Sequence, residues 1–149
     1  MDWRENLITK EEDILELAGA VRRLAVLGIR SEKVQFKPAY YVSKYMADVG
    51  VEVVPVPVYE PEVTMILGNK VYRKLVDIPG EIDMVNVFRR AADIPSHLPD
   101  IIASAPKAVW FQLGIWNDEA AEELAKAGIQ VIQNRCIMVD HRKSMWRAV

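Results

Sequence analysis

The chain has 149 residues, 51% of them hydrophobic, which gives it material for a real core and excludes a disordered polymer. A formal net charge of −2 and a pI near 5.7 exclude a general nucleic-acid-binding surface but leave room for a local basic pocket. One cysteine, Cys136, excludes an internal disulfide, and neither a signal peptide nor an apolar run of membrane-spanning length is present, so a cytoplasmic location is expected.

Thr9 and Glu12 have capping-box spacing, with Thr9 as the cap, ahead of Ile14, Leu17, Ala18 and Val21 at helical intervals. This predicts an N-terminal helix within residues 1–22, packed on a sheet. Residues 24–27 form a continuous apolar run, the pattern of a strand buried on both faces, and Gly28 closes it. The next stretch is polar and carries Arg30, Ser31, Lys33 and Lys37. Pro38 then opens a helix over 38–49, with Val42, Tyr45, Met46 and Val49 on one face and Gly50 as its stop. A second strand over 51–56 is halted by Pro55, Pro57 and Pro61. Residues 64–76 read as a short irregular unit around Gly68. A third strand over 82–88 leads to Arg89 and Arg90. A helix over 95–103 has Pro99 in its first turn. A fourth strand over 107–113 ends at Gly114. Asn117 caps the next helix, with Asp118 and Glu119 favoured in its first turn by the helix dipole, and Gly128 ends it. A fifth strand over 129–133 precedes Asn134, Arg135 and Cys136. The polar, basic end, 141–149, reads as a loose tail.

Strands alternate with helices throughout, which predicts an α/β fold: one domain over 1–149 with a five-stranded parallel sheet between two helical layers. In such sheets ligands sit off the carboxyl ends of the strands. Those ends are 28–31, 55–57, 87–90, 112–115 and 134–136, which the fold should gather into one rim. The dinucleotide fingerprint Gly-x-Gly-x-x-Gly is absent after the first strand. The acidic residue that would hold a ribose diol is also missing from the end of the second strand, where Pro55-Val56-Pro57 stands and the first carboxylate is Glu60. A helix N-terminus beside Arg30, Ser31, Lys37 and Arg89 suits a ligand with a ribose phosphate and a pyrophosphate. Coenzyme A has both, although several nucleotides fit this chemistry.

Seven short pieces in order carry a family resemblance: Ala25-Val26-Leu27-Gly28, Lys37-Pro38-Ala39-Tyr40, Val54-Pro55-Val56, Gly68-Asn69-Lys70-Val71-Tyr72, Val85-Asn86-Val87-Phe88-Arg89-Arg90, Trp110-Phe111-Gln112-Leu113-Gly114 and Asn134-Arg135-Cys136. Through them the chain resembles the small CoA-binding proteins whose Rossmann-like domain is related to the N-terminal domain of the succinyl-CoA synthetase alpha subunit. The resemblance covers about residues 11–143. It implies a Rossmann-like three-layer fold with CoA held by Gly28, Ser31, Lys37, Pro38 and Tyr40. Pro55, Val56, Phe88 and Arg89 would flank the adenine and ribose. Ile29, Arg30, Pro57, Val87, Gln112 and Gly114 complete the candidate cofactor-binding set on the rim. Two departures from the family pattern stand out: Arg30 intervenes before Ser31, and Pro55-Val56-Pro57-Val58 lacks the asparagine of Pro-Val-Asn-Pro. The synthetase's phosphorylated histidine belongs to a second domain, so ligase chemistry is not implied.

Trp110 and Phe111 read as core on a central strand. Arg90 or Arg89 suits a surface ion pair while the other meets ligand. Gln112 and Asn134 either pin the rim or face the pantetheine arm. Cys136, with Arg135, Asp140 and His141 close in sequence, is the one thiol that a transfer chemistry would use, against the plainer reading of a small buried residue. His97 reads as a surface residue at a helix start. No group has metal-ligand spacing, and no serine sits in a nucleophile elbow. Two readings follow: a cytoplasmic CoA- or acyl-CoA-binding module without chemistry of its own, or a small enzyme, either an NAD(P)-type oxidoreductase or a CoA transferase using Cys136. The expected partner is the small-molecule ligand, with neither nucleic acid nor membrane; a homodimer or a protein partner stays open.

Overall fold

The computed structural model describes residues 2–147. Its main sheet holds β1 (Arg23–Leu27), β2 (Glu52–Val56), β5 (Met84–Val87), β6 (Ala108–Phe111) and β7 (Gln130–Ile132). All neighbours run parallel, in the order β2-β1-β5-β6-β7. The strands form where apolar and β-branched residues run without a break, as a strand buried on both faces requires. Leu24 to Leu27, Met84 to Val87 and Ala108 to Phe111 are all at most 3% exposed. β2, β5, β6 and β7 lie inside their predicted spans and are shorter, because the flanking residues turn into loops or caps, whereas β1 begins one residue before its predicted span, at Arg23.

The helices α1 (Glu11–Ala20), α2 (Pro38–Asp48) and α5 (Ile137–Arg147) cover one face. Ile14, Ala18, Val42, Met46 and Ile137 pack there on Leu24, Val26, Met84 and Trp110. The helices α3 (Leu98–Ser104) and α4 (Asp118–Lys126) cover the other, through Leu98, Ile101, Ala121 and Leu124 against Val85, Val87, Val109 and Phe111. Trp110 and Phe111 are both fully buried, on opposite faces, as the core reading expects.

Three local expectations are corrected. Thr9 does not cap α1: the helix begins at Glu11 with Lys10 in the capping position and no side-chain cap. Just before it, the Ile8 N–H is spent on the Val131 carbonyl and Leu7 bridges Val131, which holds this segment extended along the outside of β7. Glu11, Glu12 and Asp13 supply the favourable first-turn charge instead. The tail is not loose over 141–147, since α5 runs to Arg147; the expectation for 148–149 lies outside the described residues. Its polar sequence conceals an anchored face, where Asp140, 2% exposed, takes both Nε and Nη2 of Arg135 at 2.9 and 2.8 Å. His141 Nδ1 meets Tyr45 Oη at 3.0 Å, and Ser144 lies so close to Gly19 that a β-carbon there would stand 2.7 Å from Oγ. The unit read as irregular contains a two-stranded hairpin, β3 (Met65–Ile66) and β4 (Asn69–Lys70), which turns through Leu67 and Gly68, both with positive φ. From it the Asn69 side chain bonds the Val53 carbonyl, and the following Tyr72 N–H bonds that of Pro55, along the outside of β2.

Numbering only the main-sheet strands in chain order gives 2-1-3-4-5, so the direction of winding reverses between β1 and β5. That is where an open α/β sheet leaves a crevice.

Candidate functional site

A groove of about 430 Å³ opens at the carboxyl end of β1 and β5. Its floor is Gly28, whose positive φ of 89° lets the chain leave β1 while the Phe88 carbonyl crosses directly above. A β-carbon at Gly28 would lie 2.3 Å from that oxygen. One wall is the start of α2, with Lys37, Pro38, Ala39, Tyr41 and Val42. No side chain caps this helix, so its partial positive charge faces the groove directly. Phe88, Arg89 and Arg90 come from the end of β5. Gln112, Leu113 and Ile115 come from beyond β6, and Cys136 and Met138 close the far end. The lining therefore combines basic groups, Arg30, Lys37, Arg89 and Arg90, with apolar ones, Tyr41, Val42, Phe88, Leu113, Ile115 and Met138.

The four cations of the groove differ in their company. Arg90 Nε pairs with Asp93 at 2.9 Å and projects into solvent; it is the surface ion pair expected of one of the two arginines. Arg89 is tied down on three sides. Its Nη2 lies 3.7 Å from Asp93, its Nη1 donates to Tyr59 Oη at 3.3 Å, and its Nε donates to His97 Nε2 at 3.2 Å. That last bond requires a neutral imidazole, and burial, followed by the Arg89 charge, holds the His97 pKa below its usual value. His97 is thus a half-buried support for Arg89, which corrects its reading as a surface residue. Arg30 points at the Glu60 carboxylate, with Nε 3.0 Å from Oε1. Lys37, among the described residues, has no carboxylate within ion-pair reach; its ammonium lies 5.7 Å from the centroid of the Phe36 ring.

Glu60 reaches the first loop from the segment after β2. Besides Arg30, it accepts the Ser31 N–H at 3.0 Å and the Ser31 hydroxyl. Burial raises its pKa, but the bonds from Ser31 and Arg30 outweigh that and leave it lowered. Beside it Tyr59 is stacked by two guanidinium groups, Arg30 at 5.3 Å and Arg89 at 5.5 Å from the ring centroid. The backbone of this segment is held separately. Arg73 donates to the carbonyls of Tyr59, Glu60 and Val63 at 3.1, 2.8 and 2.9 Å.

Of the candidate residues, Gly28, Arg30, Lys37, Pro38, Phe88, Arg89 and Gln112 line the groove. Ile29, Val87 and Tyr40 are buried beneath the rim, and Ser31 is covered by Glu60. Pro55, Val56 and Pro57 do not line the groove, although the Val56 carbonyl accepts the Gly28 N–H at its floor at 2.9 Å; from this side Tyr59 lines it instead. Gly114 lies outside as well: its N–H goes to Asn134 Oδ1 at 2.7 Å, and Gln112 Oε1 accepts the Ile137 N–H at 3.4 Å, so both polar side chains pin the rim. The neighbours that a Cys136 chemistry would need face elsewhere, His141 toward Tyr45 and Asp140 toward Arg135. Sequence reading missed Tyr59, Tyr41, Leu113 and Ile115; only their positions at strand ends and on the first turn of α2 pointed to them.

A family model described as a CoA binding domain matches residues 22–142. The chain is 36% identical over 129 residues to the uncharacterized protein YneT of Bacillus subtilis (strain 168), an alignment covering 87% of this chain and 92% of that one. Among solved structures, cell-free ID.343 from Thermus thermophilus superposes with a TM-score of 0.82 at 30% identity, covering 91% of this chain and 99% of its own. A hypothetical protein from Pyrococcus horikoshii OT3 does so with a TM-score of 0.81 at 30% identity, covering 92% and 93%.

Proposed function

The chain belongs to the CoA-binding domain family, and on that premise we propose that it binds coenzyme A, or an acyl-CoA, in the groove over β1 and β5, as a binding or regulatory module without chemistry of its own. The observation that carries this reading is the unneutralised Lys37 beside the uncapped N-terminus of α2, both on the groove wall. A phosphate placed there gains a charge-assisted bond and the helix dipole together. Arg89, pre-oriented by Tyr59 and His97, supplies a second donor fork across the groove. The apolar lining residues Tyr41, Val42, Leu113, Ile115 and Met138 suit the pantetheine arm and any short acyl group. The non-catalytic role is supported by the contacts of the titratable candidates: His97, His141 and Asp140 each already hold an arginine or a tyrosine in place.

Thermal stability measured with CoA, dephospho-CoA, NAD and NADP tests this. A ligand present at 100 times its Kd adds roughly 2.7 kcal/mol, a shift of roughly 5–10 °C for a domain of this size. CoA is expected to stabilise most and dephospho-CoA less, because the ribose phosphate is one of the groups the basic residues of the groove receive. Lys37→Ala should weaken CoA binding about tenfold, the worth of one charge-assisted bond at a half-exposed site, and leave the ligand-free melting temperature unchanged. A larger shift with NADP than with CoA, or none with CoA, overturns the proposal.

A further inference from the structure

We propose that Glu60 is a built-in counter-anion that competes with the ligand's phosphate for Arg30 and Ser31, and so determines which anions the groove admits; this rests on the groove being the CoA site. The donors converging on its carboxylate are a guanidinium Nε at 3.0 Å, a backbone N–H at 3.0 Å and a hydroxyl. A guanidinium, a backbone N–H and a hydroxyl are also what a phosphate oxygen takes from a protein. The carboxylate occupies them from 29–30 residues away along the chain, and its side chain is only 9% exposed.

Glu60 is not needed there to hold its own loop. Arg73 clamps that backbone through three carbonyls, and the Val63 N–H closes a turn onto the Glu60 carbonyl at 3.0 Å. The Glu60 backbone nevertheless adopts φ = 58°, a left-handed conformation that a glutamate rarely takes, and in that conformation its side chain meets Ser31. While the carboxylate stays, the groove offers an incoming anion Lys37, the α2 terminus and the two arginines shared with Asp93. A small anion with no other contacts cannot displace Glu60. A ligand whose phosphates are backed by an adenine and a pantetheine arm has binding energy in reserve to do so. Glu60 thereby makes the groove selective for an anion that is part of a larger molecule.

Calorimetric titration of the full chain with inorganic pyrophosphate and with CoA tests this, comparing wild type with Glu60→Gln and Glu60→Ala. Both variants are expected to fold, melting somewhat below wild type because Arg30 and Ser31 lose their acceptor, to bind pyrophosphate at least tenfold more tightly than wild type, and to bind CoA more tightly as well. Adding Arg30→Ala and Ser31→Ala to Glu60→Gln should remove most of the gain, which ties it to this cradle. Wild-type CoA binding with no gain in either variant overturns the role of Glu60 and leaves the CoA reading standing. A gain for pyrophosphate with no CoA binding in any protein supports Glu60 and overturns the CoA reading. Binding of neither ligand by any of the proteins overturns both. Failure of both variants to fold makes Glu60 a structural anchor and overturns the proposal.

Discussion

Replacing Gly28 by alanine probes the point where the sheet becomes the groove. Two separate costs can be worked from the geometry. Alanine at φ = 89° forfeits the freedom only glycine has, at about 1–2 kcal/mol. Its β-carbon would also sit 2.3 Å from the Phe88 carbonyl oxygen and 3.2 Å from Arg89 Cδ. The oxygen cannot step aside cheaply: the Gly28 N–H donates to Val56 at 2.9 Å and the Phe88 N–H to Leu27 at 2.8 Å, so β1 is stitched to both neighbours there. Forcing a carbon into so close a contact adds about 1–3 kcal/mol. The total, about 2–5 kcal/mol, corresponds to roughly 4–20 °C in melting temperature for a domain of this size. Gly114→Ala is the control: it too has a positive φ, 85°, but nothing lies within 4 Å of its β-carbon position, so only the first cost applies. Guanidinium unfolding of both variants, with the slopes compared, isolates the contact. Equal losses at the two glycines would refute the claim that the crossing of Phe88 over Gly28 is rigid.

Three further outcomes are expected. The His97 and His141 pKa values are both held low, mainly by burial, so each is neutral in the fold and takes up a proton sooner when unfolded; stability should therefore be full above about pH 6.5 and fall as the pH drops through the folded values. His97→Asn together with His141→Asn should flatten that decline between pH 7 and pH 5, and an undiminished slope in the double variant would count against it. Asp140→Ala should cost about 1–3 kcal/mol in chemical denaturation, less than a wholly buried pair, because Arg135 keeps Glu11 at 2.9 Å; a loss no greater than that of a surface pair would show that α5 is anchored elsewhere. The Asn86 side chain on β5 is fully buried and neither amide atom has a hydrogen-bond partner among the described residues, so Asn86→Leu, equal in shape, should raise stability by about 1 kcal/mol, and a fall of that size would mean the amide is satisfied.

The strands were legible because burial on both faces writes itself as an unbroken apolar run, as at Leu24 to Leu27. The first loop was legible because Gly28, Lys37 and Pro38 have few other uses in that arrangement. What stayed hidden depended on partners distant in the chain. Glu60 looked like one more residue among strand-ending prolines, and nothing local announces that it reaches back to Ser31. The polar register of α5 hid its buried face, since Asp140 and His141 are charged or polar residues that become core only through Arg135 and Tyr45. Pro55, Val56 and Pro57, which the resemblance and a strand-end position place near a ligand, stand beside the groove floor through the Val56 carbonyl without lining it, and only the packed sheet separates the two.

Among the described residues, the hairpin beside β2 and the segment beside β7 cover both flanks of the sheet. On β2 the outward groups belong to Val53 and Pro55: both carbonyls are taken, by Asn69 and Tyr72, and Pro55 has no N–H to offer. On β7 the outward residue is Val131, already matched by Leu7 and Ile8. Strand addition by a second copy would therefore have to displace these contacts. Self-association with those contacts kept is built side chain to side chain, through helix surfaces or exposed residues such as Trp116 and Leu113, and a dimer formed that way would answer to point substitutions rather than to strand register.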